Sequence, residues 1–284
     1  MRESRSERQM SRLSGLFARL DGQHKRALIP YVVAGDPSVS GTVALMHRLV
    51  AAGADVLEVG VPFSDPMSEG LVIQLGHERA LANGMTLRGV LDIIAQFRQD
   101  NEETPVVLMG YANPIERFEY DAFAEASAAA GVDGLITVDL PPEEVDRLDQ
   151  ALIRVGIDNI LLISPTTERE RIQKIVARAR GFIYYVAVKG VTGSGRLDVS
   201  EVAERVGMIR ELTALPVAVG FGIKDAESAA KVAEVADAVV VGSALIDEMV
   251  KKSQADAGSE EIQIHEAAVK LLERIRAGVD SSRF

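Results

Sequence analysis

Eight short, β-branched runs recur along this 284-residue chain, each followed by turn residues, and their alternation with helical patterns narrows the possible folds more than any other feature. The runs are Ala27–Val33, Asp55–Gly60, Thr104–Gly110, Gly134–Val138, Asn159–Ile163, Phe182–Val188, Pro216–Val219 and Ala238–Val241. Between them lie helical patterns at Gly41–Ala52, Thr86–Gln99, Pro114–Ala130, Pro142–Val155, Glu168–Ala177, Ser200–Leu212 and Asp225–Val235, with a short one at Ala244–Met249 and a longer amphipathic one at Glu260–Ala277. Near-continuous apolar strands separated by helices imply parallel pairing buried on both faces. Eight such units predict an α/β fold of the closed (β/α)8 barrel type, a single domain over residues 1–284. The leading segment Arg5–Leu20 carries Met10, Leu13, Leu16, Phe17 and Leu20 at helical spacing, which predicts an extra N-terminal helix packed over the barrel bottom. A doubly wound open sheet is the competing arrangement, but the G-x-G-x-x-G that would follow its first strand is missing.

Composition excludes several function classes. With 47% hydrophobic residues the chain can bury a large core, and a net charge of -11 without any basic tract argues against nucleic acid and anionic membrane surfaces as partners. The absence of cysteine rules out disulfides, thiolate metal sites and a cysteine nucleophile, and is compatible with a reducing compartment. The N-terminus is charged (Arg2, Glu3, Arg5, Glu7, Arg8), and no stretch approaches the roughly 20 apolar residues of a membrane span. The expectation is a soluble, cytoplasmic protein.

In such a barrel the chemistry lies at the C-terminal ends of the strands. There the segment LEVGVPFSDPMSEGLVIQ, Leu57 to Gln74, places a carboxylate, Glu58, inside an apolar run just before a loop bearing Asp65 and Glu69. Burial disfavours a charged carboxyl and moves its pKa toward the range of a working acid or base. The segment therefore predicts a general acid/base at Glu58 and a second carboxylate that stabilises a cation. Glycines form the second signal. Gly190-Val191-Thr192-Gly193, Gly220-Phe221-Gly222 and Gly242-Ser243 follow the last three strands, and the third opens a helical stretch. Backbone N–H groups freed by glycine, together with a helix N-terminus, predict a phosphate site there.

Other residues point elsewhere. Lys189 ends the sixth run, where some barrel aldolases carry a Schiff-base lysine. His24, His47, His77 and His265 lack metal-ligand spacing and read as solvent-facing or packing residues. Asp139-Leu140-Pro141-Pro142-Glu143-Glu144 reads mainly as a helix start with proline in the first turn, leaving Asp139 as a pocket or interface residue. The acidic stretch Ala255–Ile262 reads as a solvated loop and helix start.

LEVGVPFSDP with VIQ after it, then YANP, DLPPEE, GVTG, GFGI and VGSA in this order, resembles the tryptophan synthase alpha subunit family over nearly the whole chain. That resemblance implies a TIM barrel that cleaves indole-3-glycerol phosphate to indole and glyceraldehyde 3-phosphate. It also implies an α2β2 complex in which a pyridoxal-phosphate β subunit consumes the indole. It assigns Glu58 as acid/base and places the second carboxylate, normally aspartate, at Glu69. Phosphate ligation falls to Gly193, Gly222, Gly242 and Ser243, an indole pocket to Tyr31, Tyr111 and Phe221, the glycerol chain to Tyr184, and a closing loop to Thr192. Pro62, Asp65 and Asn113-Pro114 would face the β subunit.

The chemistry agrees. Retro-aldol cleavage needs an electron sink, usually a lysine Schiff base or a divalent metal, but an indole becomes its own sink when protonated at C3. One buried carboxyl can deliver that proton and take another from the glycerol hydroxyl, while a second carboxylate stabilises the cationic ring N–H. This route uses no metal, no cofactor and no catalytic lysine. The chain departs from the family in one place, where Ser68-Glu69-Gly70-Leu71 stands for alanine-aspartate-glycine-proline. The added methylene moves the second carboxylate by about 1 Å, a misplacement that can cost on the order of 100-fold in rate. Two alternatives therefore stay open: a catalytically weakened subunit that mainly activates the β subunit, and another phosphate-binding barrel aldolase using Lys189.

Overall fold

The structure, a computed structural model, describes residues 11–187, 199–220, 222–255 and 260–282. Its parallel strands close into a barrel in chain order: β1 (Ala27–Val33), β2 (Leu57–Gly60), β3 (Val106–Gly110), β4 (Gly134–Thr137), β5 (Asp158–Ile163), β6 (Ile183–Val186), β7 (Val217–Gly220) and β8 (Ala238–Val241). The described helices are α1 (Arg12–Gly22), α2 (Thr42–Ala51), α3 (Leu71–Ala82), α4 (Leu87–Phe97), α5 (Ala112–Phe118), α6 (Tyr120–Ala130), α7 (Asp146–Val155), α8 (Arg169–Val176), α9 (Val199–Arg210), α10 (Ala226–Ala233), α11 (Ser243–Ala255) and α12 (Glu261–Ser281). None of them is long and apolar enough to cross a membrane.

Two apolar layers follow from the pleat, because successive strand residues point to opposite faces. Ala27, Ile29, Val56, Val107, Ile136, Ile160, Phe182 and Ala218 fill the barrel interior, and the bulkier outer layer packs the strands against the helices. The predicted N-terminal helix is present as α1, with residues 5–10 outside the described range. Its Leu13, Leu16, Phe17 and Leu20 close the interior cluster from below, with the Phe17 ring 5.8 Å from that of Phe182. Ser11 caps its start by accepting the Ser14 N–H at 3.2 Å.

The barrel bottom is held by a repeated device. Asp55, Asp133 and Asp237 each lie just before an even-numbered strand and each accept the N–H of a residue at the start of the preceding strand: Leu28 at 2.9 Å, Val106 at 2.8 Å and Val217 at 2.8 Å. Each also takes arginine: Arg276 on Asp55, Arg12 and Arg98 on Asp133, Arg210 on Asp237. The carboxylates thus fix neighbouring strands in register with charge-assisted bonds and bind outer helices to the same points.

Three elements differ from the sequence reading. Helix α3 has no counterpart there, because it buries Gly76, His77 and Ala80 while Leu71, Leu75 and Leu81 are exposed, so its apolar pattern gives no core stripe. The helix expected over Pro114–Ala130 begins at Ala112 and breaks at Glu119, whose φ of 74° ends α5 and starts α6. Pro142 does not open a helix: residues 142–145 form turns and α7 starts at Asp146.

Asp133 offers a test of the bottom device. Its side chain is 5% exposed, and truncation takes the carboxylate partner from two arginines, which keep only backbone carbonyls as hydrogen-bond acceptors, and the acceptor from the Val106 N–H. Asp133→Ala should cost about 3 kcal/mol or more in urea unfolding, in the range for removing one member of a buried ion pair. An exposed pair such as Lys231 with Glu227 should contribute less than about 1 kcal/mol in the same assay.

Candidate active site

A cavity of about 880 Å³ opens at the C-terminal ends of the strands. Glu58 lies at its base on β2, opposite Tyr31 on β1 and Val107 on β3. Its side chain is 1% exposed, and neither carboxyl oxygen has a hydrogen-bond partner among the described residues. Removal from water without compensation favours the neutral acid. Desolvation, with the nearby charge of Glu69 second, pushes the Glu58 carboxyl up to about 8. Glu69 also lines the cavity, and burial pushes it up to about 7. The two acids expected to work together therefore line one cavity and interact electrostatically.

The backbone around Glu69 is pinned. Gln74 on α3 donates its side-chain amide to the Glu69 carbonyl at 2.8 Å, and the Ser68 N–H donates to Tyr111 Oη at 3.2 Å. The Phe63 ring stacks on Tyr111 with centroids 5.1 Å apart. Here the placement of Tyr111 differs from the expected indole pocket. It is not among the residues lining the cavity, and its hydroxyl and ring are both engaged with the loop that carries Glu69.

Tyr31 and Tyr184 do line the cavity. Glycine makes room for both phenols: a Cβ at Gly60 would stand 2.2 Å from Tyr31 Oη, and one at Gly220 would stand 2.6 Å from Tyr184 Oη. Burial first, then the two glutamates, raise both phenols well above their ordinary range, so both are neutral donors.

Gly222, Gly242 and Ser243 line the same cavity. Gly222 has φ +54°, a left-handed conformation that glycine adopts without penalty, and the space its Cβ would take is open. Ser243 is the first residue of the 13-residue helix α11, whose leading N–H groups lack intrahelical acceptors. Arg171 is the only lysine or arginine among the described residues lining the cavity, and it is paired with Glu143. An anion seated at Gly222 and Ser243 would be met by backbone N–H groups and the helix dipole. Lys189, Thr192, Gly193 and Phe221 lie outside the described residues.

Asp139 lines the cavity rim and accepts the Ala112 N–H at 2.7 Å, so it caps the start of α5 rather than its own following segment. Sequence reasoning missed Thr137, Ser164, Thr167 and Arg171, which form the β4–β5 side of the cavity, because single polar residues after a strand carry no distinctive spacing. His77, read as solvent-facing or packing, is 2% exposed and bonded to Tyr31.

Comparison with known proteins agrees with this geometry. The tryptophan synthase alpha chain family model matches residues 17–275. The tryptophan synthase alpha chain of Marinobacter nauticus is 52% identical over 272 residues, covering 96% of this chain and 99% of the relative, and that of Nitrosococcus oceani is 53% identical over 273 residues, covering 96% and 99%. Among solved structures, tryptophan synthase subunit alpha from Legionella pneumophila superposes with a TM-score of 0.88 at 44% identity, covering 96% of this chain and 99% of that one. The chain belongs to the tryptophan synthase alpha chain family, the lyase subunit that cleaves indole-3-glycerol phosphate to indole and glyceraldehyde 3-phosphate in tryptophan biosynthesis.

Proposed function

We propose that Glu58 is the acid/base of this cleavage and Glu69 the carboxylate that stabilises the protonated indole. The observation that carries the reading is the fully buried carboxyl of Glu58, unpartnered among the described residues, beside a second acid in a cavity floored by apolar strands. Kept neutral near pH 7, Glu58 holds the proton that C3 of the indole must receive. Once discharged, the carboxylate takes the proton of the glycerol hydroxyl, the C–C bond breaks into the iminium, and indole leaves as the aldehyde forms. Glu69, the more acidic of the two, supplies the negative charge near the ring N–H. The Tyr31 and Tyr184 phenols form the walls around ring and glycerol chain.

The phosphate is held by backbone N–H groups near Gly222, Gly242 and Ser243, and the family resemblance adds Gly193. The chain works as one barrel domain in the cytoplasm with a tryptophan synthase β subunit, in an α2β2 tetramer. Pro62, Asp65 and Asn113-Pro114 lie on the loops that would face the partner.

Glu58→Gln keeps shape but cannot cycle a proton, so indole release should fall by at least 1000-fold while glycerol phosphate still binds. Release within tenfold of the parent, followed spectrophotometrically with and without β subunit, removes Glu58 from the mechanism.

The pH profile tests the pair. The acid form of Glu58 is needed, so kcat/KM should fall as pH rises through about 8; Glu69 must be charged, so it should fall as pH drops through about 7. Glu69→Gln removes the charge that raises Glu58 and should move the alkaline limb to lower pH. An unmoved limb assigns it to another group.

For the phosphate, Gly222→Asp adds a negative charge at a backbone conformation that Asp and Asn tolerate. It should weaken glycerol phosphate binding tenfold or more by calorimetry, with Gly222→Asn much less affected and Arg171→Ala within twofold of the parent. Strong loss in Arg171→Ala would move the phosphate to the β4–β5 side.

A further inference from the structure

His77 sits in the middle of α3 with 2% of its surface exposed, where a helix packing on a barrel would ordinarily place an aliphatic side chain. Both ring nitrogens are engaged. The Phe63 N–H donates to Nδ1 at 3.0 Å, so the neutral ring carries its proton on Nε2, and Nε2–H donates to Tyr31 Oη at 3.2 Å. Burial lowers the imidazole to about 4, which keeps the ring neutral near pH 7, and the Phe63 N–H bond selects the tautomer. Phe63 lies near the start of the loop that carries Glu69, and Tyr31 stands opposite Glu58 in the barrel register. One imidazole therefore joins the stem of the loop bearing one acid to the strand facing the other. The helix that carries His77 is itself tied to the end of β1: Arg79 forms a bidentate pair with Asp36 at 2.7 and 2.8 Å, and Asn83 donates to the Gly35 and Pro37 carbonyls at 2.9 and 2.8 Å.

From this geometry we infer that His77 is a positioning residue for cleavage: it holds the loop bearing Glu69 at its working distance from Glu58 by accepting the Phe63 N–H, with Tyr31 fixing the orientation of the imidazole. The inference rests on the two-carboxylate reading above. His77 touches no reacting atom and acts through the loop. Losing the anchor lets the second carboxylate drift, which weakens stabilisation of the protonated indole more than binding of the phosphate at the loops after β7 and β8.

The experiment compares His77→Leu and His77→Asn, assayed with saturating β subunit. Leucine supplies bulk and no acceptor, and kcat should fall at least tenfold with KM for indole-3-glycerol phosphate and the calorimetric Kd for glycerol phosphate within threefold of the parent. Asparagine places its Oδ1 where Nδ1 stood and can again accept the Phe63 N–H, so its kcat should recover to within threefold of the parent. A His77→Leu kcat within twofold of the parent overturns the proposal, and so does a folded His77→Asn no faster than His77→Leu. Should His77→Leu not fold, His77→Met takes its place, since it fills a similar volume and offers the Phe63 N–H no comparable acceptor. It should lose threefold or more in kcat at unchanged KM, and parental kcat overturns the proposal. Glu58→Gln run in parallel separates the two layers of argument. If it keeps releasing indole, the two-carboxylate reading fails; if it is silent while His77→Leu is parental, only the positioning role fails.

Discussion

A carboxyl group kept out of water, with no hydrogen-bond partner among the described residues, is the constraint around which the site is organised. Glu58 is surrounded by β1, β2 and β3 and the residues they carry, and burial itself gives it an affinity for protons that an exposed glutamate lacks. Such a group destabilises the fold relative to an apolar residue in its place. The barrel tolerates it because stability is secured elsewhere, in the two apolar layers and in the aspartates of the opposite rim.

The two ends of the barrel use the same residue types in opposite ways. At the bottom, Asp55, Asp133 and Asp237 are saturated with N–H and guanidinium donors and serve registration of the strands. At the top, Glu58 has no donor among the described residues, and Glu69 makes no ion pair among them. Saturated carboxylates are chemically inert; unsaturated ones keep or exchange protons near neutral pH. Parallel closure makes this separation possible, since every strand starts at one rim and ends at the other.

Around the cavity, close approach decides residue identity as much as chemistry does. The phenols of Tyr31 and Tyr184 occupy space that side chains at Gly60 and Gly220 would fill, and Tyr31 Cβ lies 3.2 Å from where a Gly242 Cβ would be. Glycines first read only as phosphate-binding turns thus also shape the hydrophobic walls. The Glu69 loop is set in a similar way, with Phe63, Ser68 and Glu69 each bonded or stacked to a residue outside the loop. Its longer acid is held by a backbone that has little freedom to adjust.

Strand alternation, the placement of Glu58 within an apolar run and the glycine clusters after β6, β7 and β8 were legible in the chain, because each depends on local pattern: period, burial preference and backbone freedom. Those features determined the barrel and marked Glu58 as an acid placed for chemistry, while the choice of Glu69 over Asp65 as its proposed partner came from the family resemblance. The tertiary structure alone decided what depends on contacts between distant segments. Helix α3 was hidden because it packs through Gly76, His77 and Ala80 and shows its leucines outward. Tyr111 was expected on the indole wall, but it stacks on Phe63 and accepts the Ser68 N–H, so it also braces the loop. The aspartates of the lower rim and the His77 bridge to Tyr31 join residues many positions apart, and a lone polar side chain in a sequence carries no sign of its partner. Local periodicity sets which elements form; the proton affinities and the fixed tautomer arise only when closure of the barrel removes water from around them.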